Sequence, residues 1–251
     1  MSETIADLAR KGKLNAISCM AVMPGWPADS ALLNDLSDTV QVGLHLTLTG
    51  ERPLTAMPML APNAVLPGIN ALGRRAGRRR LPLDEIAAEI AAQFDAFRAA
   101  TGRPPAFVDG HQHAHALGGI REIVLAETAR RAPGAWVRDC TDRALAMLAR
   151  PFPGKAIASA YHSRGLRAAA AAHGLSCNDS FAGHYDFTGD YRALFPRFLH
   201  RPGTMHLVMC HPGAGMRPGD TIAAARPKEA AALRDWSIAD MAAMEGLAFP
   251  A

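Results

Sequence analysis

Hydrophobic positions along the chain switch repeatedly between the spacing of a helix and the alternation of a strand. Ile5, Leu8 and Ala9 recur at helical spacing over residues 3–11, and Gly12 is placed to end that helix. A strand-like run covers 16–23, and Pro27-Ala28-Asp29 opens a second helix carrying Leu32, Leu33 and Leu36. Alternation follows: Val40, Val42, Leu44, Leu46 and Leu48 share one face of a strand, and Gln41, Gly43, His45, Thr47 and Thr49 the other. Residues 50–81 read as loop. Asp84 caps a long helix with Ile86, Ile90, Phe94 and Phe97 on one side, ended by Gly102-Arg103-Pro104-Pro105. Strands are then expected over 106–113, 136–138, 175–178 and 204–211, and helices over 119–131, in the alanine-rich stretch 155–174 and from Pro227 onward. This alternation, without internal repeat or low-complexity linker, predicts a parallel α/β fold in a single domain over residues 1–251. It starts on a helix with no strand ahead of it, so the expected sheet lacks its first strand.

Composition narrows the class. With 251 residues, 49% hydrophobic and 20% charged, the chain can bury a large core without disulfides or a structural metal. Cys19, Cys140, Cys177 and Cys210 form no CxxC pair and read as reduced and buried. No leader-like or membrane-spanning apolar stretch occurs, which predicts a soluble cytoplasmic protein. The net charge of +4 owes much to Arg74, Arg75, Arg78, Arg79 and Arg80, read as a solvated loop. With aromatics at only 6%, nucleic acid is not an expected partner.

The densest chemical signal is Asp109-Gly110-His111-Gln112-His113-Ala114-His115, at the C-terminal end of an expected strand, where parallel α/β folds place their sites. Three of the chain's ten histidines fall in these five positions after an aspartate. By strand alternation Asp109, His111 and His113 share one side, a donor set suited to a divalent cation. Plain surface histidines are the alternative. His45, also near a strand end, is the candidate partner ligand, against a hydrogen-bonded core histidine. Asp109 is cast as the carboxylate that orients a ligating imidazole. His211, before Pro212-Gly213 at another strand end, suits a general acid, because an unperturbed imidazole titrates near working pH. His113, Arg138, Asp179 and Phe181 are weaker candidates for substrate contact, each of which can equally be structural. Arg226 and Glu229, three apart at a helix start, read as a local ion pair. Trp26, Trp136 and Trp236 read as core, with sugar stacking the alternative. No nucleophile elbow, phosphate loop or dinucleotide fingerprint is present.

These residues resemble the YdjC-like carbohydrate deacetylases. Val42-Gly43-Leu44-His45-Leu46-Thr47-Leu48-Thr49 with Arg52-Pro53-Leu54, then Phe107 through His115, Asp179-Ser180-Phe181-Ala182-Gly183, His211-Pro212-Gly213 and Arg226-Pro227-Lys228-Glu229 follow the family's blocks in order. The resemblance implies a distorted (β/α) barrel related to NodB-type deacetylases. It also implies a divalent metal, magnesium or zinc, held by His45 and His111, and removal of acetyl groups from N-acetylated sugars of chitooligosaccharide or glycolipid type.

One departure accompanies the match. The family opens with a strand ending in an Asp-Asp-Phe-Gly type motif, whose aspartates serve as third ligand and general base, and Met1 aligns just after it. The expectation is a start placed too far downstream, a truncated polypeptide, or a silent relative with Asp109 drawn in as substitute ligand. A sugar-binding or scaffold protein without activity is therefore the alternative function. An open sheet edge would also favour association into a homodimer.

Overall fold

A computed structural model describes residues 1–217 and 219–236 of the chain. Helix α1 (Ser2–Arg10) ends before Gly12, which adopts the expected left-handed turn at φ 65°. Strand β1 (Ala16–Cys19) leads through α2 (Trp26–Asp29) and a tight 3-10 turn (Ser30–Leu33) to β2 (Gln41–Leu46). Two helices follow, α3 (Ile69–Gly77) and α4 (Leu83–Thr101), then β3 (Phe107–Gly110), a 3-10 turn (His111–Ala116) and α5 (Ile120–Arg131). The remainder is β4 (Trp136–Val137), α6 (Ala144–Ala149), α7 (Pro153–His162), α8 (Leu166–Ala172), β5 (Ser180–Ala182), α9 (Tyr191–Leu199), β6 (His206–Val208) and α10 (Arg226–Asp235).

β1, β2, β3 and β4 lie side by side in chain order, all parallel. Val137 bridges onward in parallel to Cys177, and β5 pairs in parallel with β6. Parallel neighbours joined by helical crossovers make the wall of a distorted (β/α) barrel. Among the described residues the wall stays open, since β1 and β6 do not pair. Leu8 of α1 packs instead in a cluster with Tyr191 and Phe198 of α9 and Leu233 of α10.

The alternation of β2 translates directly into packing: Val40, Val42, Leu44, Leu46 and Leu48 all enter the main core, with Ile86, Ile90, Phe94 and Phe97 of α4. Gly43, on the other face, meets the Phe107 ring so closely that a Cβ there would lie 2.5 Å from it. Trp26 stacks on Phe97 and Trp136 on Phe107, so these two tryptophans are core, while Trp236 packs partly buried at the end of α10.

Several expectations are corrected. Residues 69–77, read as loop, form α3, so Arg74 and Arg75 are helical and only Arg78 to Arg80 follow it. The Gly68, Gly73 and Gly77 punctuation concealed a helix that Leu72 anchors in the core. The alanine-rich stretch breaks into α7 and α8, and α6 and α9 were not anticipated, the latter because Pro196 sits inside it. Strands end earlier than expected, and the fifth falls at 180–182. All four cysteines are free, but Cys177 and Cys210 are only half-buried. No helix among the described residues is long and apolar enough to cross a membrane.

Candidate active site

The register of β2 on β3 sets His45 directly beside Asp109. His45 Nδ1 and Asp109 Oδ1 are 2.7 Å apart. A carboxylate can only accept, so the imidazole donates from Nδ1 and keeps the Nε2 lone pair free. Ser18 of β1, 3.1 Å from His45 Nδ1, donates to the same Asp109 oxygen. From beyond β4, Arg138 Nη1 donates to Asp109 Oδ2 at 2.6 Å. Its Nη2 donates to the Gly110 carbonyl. Burial works to raise the Asp109 carboxyl, but the Arg138 guanidinium and His45 outweigh it and hold the group well below the usual carboxylate range. Asp109 is thus a buried anion with both oxygens engaged.

His111 follows at the strand's end, its ring edge-on to His45 at 5.7 Å. Burial, reinforced by His45 and Arg138, lowers His111 to about 4, so its imidazole is neutral at pH 7. His113 does not share that side. The chain leaves the strand at Gly110, and Gln112 and His113 take left-handed backbone angles (φ 51° and 61°). His113 therefore turns toward Cys140, Phe181 and His184. The alternation expected through His113 fails because the pairing it relies on has ended. His115 points inward, Nε2 lying 2.8 Å from the Arg138 carbonyl.

The other candidate contacts lie beneath or beside this mouth. Phe181 is buried, edge-on to His113 and His184, with the Arg138 guanidinium 5.6 Å from its ring centre. Arg138 itself is buried and committed to Asp109 and Gly110. Asp179 accepts backbone N–H groups from Thr204 (2.7 Å) and Met205 (3.1 Å), at a surface cavity of about 500 Å³ also lined by Arg143, Pro202 and Gly203. The structure thus joins His45, Asp109, His111 and Arg138 in one cluster and sets Asp179 in a different loop system.

His211 follows β6. Its backbone N–H is received by Glu229, a fully buried carboxylate that also accepts the Tyr185 hydroxyl. Glu229 Oε1 stands 4.0 Å from His211 Nδ1, which has no hydrogen-bond partner. Arg226 is not Glu229's ion-pair partner, as the spacing suggested. Arg226 Nε pairs with Asp220 at 2.6 Å, and its Nη1 donates to the His211 carbonyl. Burial, then Arg226, His45 and His111, lower His211 to about 3, so the resting imidazole is neutral. Burial raises Glu229 despite the Tyr185 and His211 hydrogen bonds. Ser18, Tyr185 and Glu229 were not singled out as site residues. The traces were a lone serine facing out of an apolar strand and a glutamate within the last family-like block.

Burial, and secondarily Arg138, lowers His115 to about 3 and His184 to about 4, so both are held neutral. Below about pH 6.5 the unfolded chain binds protons that the folded one refuses, so stability should fall from pH 6.5 toward pH 4. These two protons alone imply a loss of roughly 4 kcal/mol between pH 7 and pH 5, to which His111 and His211 add in the same direction, measurable by urea unfolding. Equal stability at the two pH values would show that these imidazoles are not held neutral.

Among the described residues no group of three or more His, Cys, Asp or Glu side chains is arranged to hold a metal ion. His45 and His111 suit such an ion as two imidazole donors, one with its tautomer fixed by a carboxylate and both with a lone pair available.

Chitooligosaccharide deacetylases of Yersinia pestis (strain Pestoides F) and Yersinia pseudotuberculosis serotype O:1b (strain IP 31758) are each 47% identical over 85 residues. That match spans 34% of this chain and 33% of either relative, about a third of their length. The crystal structure of an Enterococcus faecalis V583 protein assigned to cellobiose-phosphate cleavage superposes with a TM-score of 0.72, covering 99% of this chain and 90% of that one. At 15% identity this likeness speaks for the fold alone. The model of the YdjC-like protein family matches residues 1–244, and the chain belongs to that family.

Proposed function

We propose that this chain is a metal-dependent carbohydrate N-deacetylase acting on N-acetylated sugars of chitooligosaccharide or glycolipid type. The observation that carries the reading is the His45–Asp109 pair, which leaves His45 Nε2 free beside a neutral His111 at the C-terminal mouth of the sheet. The partial match to chitooligosaccharide deacetylases supports the substrate class. His45 and His111 would hold the ion, zinc or magnesium. When bound, such an ion supplies Lewis acidity to the acetyl carbonyl and the hydrolytic water.

The chain's own residues do the rest. Asp109 fixes the His45 tautomer, and Arg138 and Ser18 keep Asp109 ionised and stationary. His211 carries the proton. Being neutral at rest, it first accepts one from the attacking water, whose oxygen bonds to the acetyl carbon. It then donates that proton to the sugar nitrogen as the carbon–nitrogen bond breaks, releasing acetate and the amine. Glu229 holds the His211 backbone in place. Arg138, Phe181 and His113 form the floor beneath the acetyl group, while Asp179, its carboxylate taken up by the Thr204 and Met205 backbone N–H groups, stands apart in its own loop system. Four free cysteines fit the cytoplasm as compartment. The edge of β1 is the proposed seam of a homodimer.

His111→Ala is expected to abolish zinc binding measured by isothermal titration calorimetry, with the thermal melt little changed. An unchanged zinc stoichiometry would remove His111 from the site.

A further inference from the structure

The basic segment after α3 has no part in this chemistry. Arg74 and Arg75 close α3, and Arg78, Arg79 and Arg80 follow at once. Among the described residues, only Arg75 of these five places its guanidinium on a protein group, the Met59 carbonyl at 2.8 Å, and the other four are exposed. A helix C-terminus favours one or two cations in its last turn, which accounts for Arg74 and Arg75. It does not account for Arg78, Arg79 and Arg80, which lie past the last helical residue, Gly77, as an unbroken run of like charge. Nearby acids offer little relief. Glu85 is spent on the backbone N–H groups of Met59 and Leu60, which leaves Asp84.

Apolar side chains stand beside these charges. Met59 is 68% exposed and is clamped between Arg75 and Glu85 through its backbone, and Leu83, three residues past Arg80, is 46% exposed. The knuckle is anchored, since Leu72 of α3 packs in the core with Ala114 and Leu117 from the segment that carries His111. A cluster of exposed guanidiniums on an anchored helix end, flanked by protruding apolar side chains, matches the two requirements of an anionic bilayer surface: attraction to headgroups and shallow burial of apolar groups. Single-stranded nucleic acid would want aromatic side chains among the arginines, and residues 51–90 contain none.

We infer that the Arg74–Arg80 knuckle, with Met59 and Leu83, docks the protein on anionic lipid surfaces. The test is co-sedimentation of the full chain with phosphatidylcholine vesicles, with and without phosphatidylglycerol. Binding is expected only with phosphatidylglycerol, and should weaken as salt is raised. The R78Q/R79Q/R80Q variant should lose about 100-fold in partitioning, at about fivefold per arginine. Met59→Ser should lose about tenfold, which a purely ionic site would not show. These positions are exposed, and unchanged melting curves confirm the fold. Partitioning that the triple variant retains, displacement by millimolar inorganic phosphate, or tighter binding to duplex DNA than to the vesicles would each overturn the inference.

Discussion

Asp109→Ala is expected to cost about 3–5 kcal/mol of stability, because it leaves the Arg138 guanidinium buried with one of its two acceptors gone. The same change releases His45, whose Nδ1 partner disappears, so metal affinity and acetate release should fall with it. Because the alanine variant can simply fail to fold, Asp109→Asn is the sharper probe. The amide keeps the volume and one acceptor oxygen but presents an NH2 group to Arg138 or to His45. Zinc affinity should weaken by about 10- to 100-fold, the usual effect of losing a carboxylate behind a ligating imidazole. Complete loss of zinc from a folded Asn variant would mean that Asp109 binds the ion directly. Unchanged affinity would mean that the carboxylate serves packing alone.

His211→Ala is expected to lower kcat by about 100- to 10,000-fold, the range spanned by positioned proton donors and acceptors. KM and zinc stoichiometry should stay close to those of the parent, since His211 is placed to move a proton rather than to hold sugar or ion. The low proton affinity of His211, lowered to about 3 by burial, Arg226 and the neighbouring histidines, gives the pH profile a sign. Deacetylation should persist as pH falls to the limit set by acid unfolding, because His211 stays neutral throughout that range. An acid limb centred near the ordinary histidine value, in protein shown to be folded, would contradict a neutral resting His211. A His211→Ala variant of parental kcat would remove it from the reaction altogether.

Local pattern made part of this architecture legible. The β2 alternation named its core face correctly because a two-residue period survives any tertiary context that keeps one face buried. The α4 stripe of Ile86, Ile90, Phe94 and Phe97 was legible for the corresponding helical reason. Register was not. That His45 stands opposite Asp109 depends on how β2 and β3 align across 60 intervening residues, which no local spacing encodes. His113 was placed with His111 because alternation assumes a continuing strand. The left-handed angles at Gln112 and His113 are uncommon for any residue with a Cβ, and the mild preference of histidine for that region is too weak to mark where the strand ends. The link from Glu229 to Tyr185 and His211 was hidden by the nearer and cheaper pairing with Arg226, which Asp220 takes instead.

The deciding measurement is acetate release from N,N'-diacetylchitobiose by the full chain, with added zinc or magnesium and with chelator, beside the His111→Ala variant. Acetate released with metal, and neither with chelator nor from the variant, is the expected result. Tight sugar binding that survives chelator, with no acetate under any condition, would contradict a hydrolytic site and assign the chain to sugar binding without catalysis.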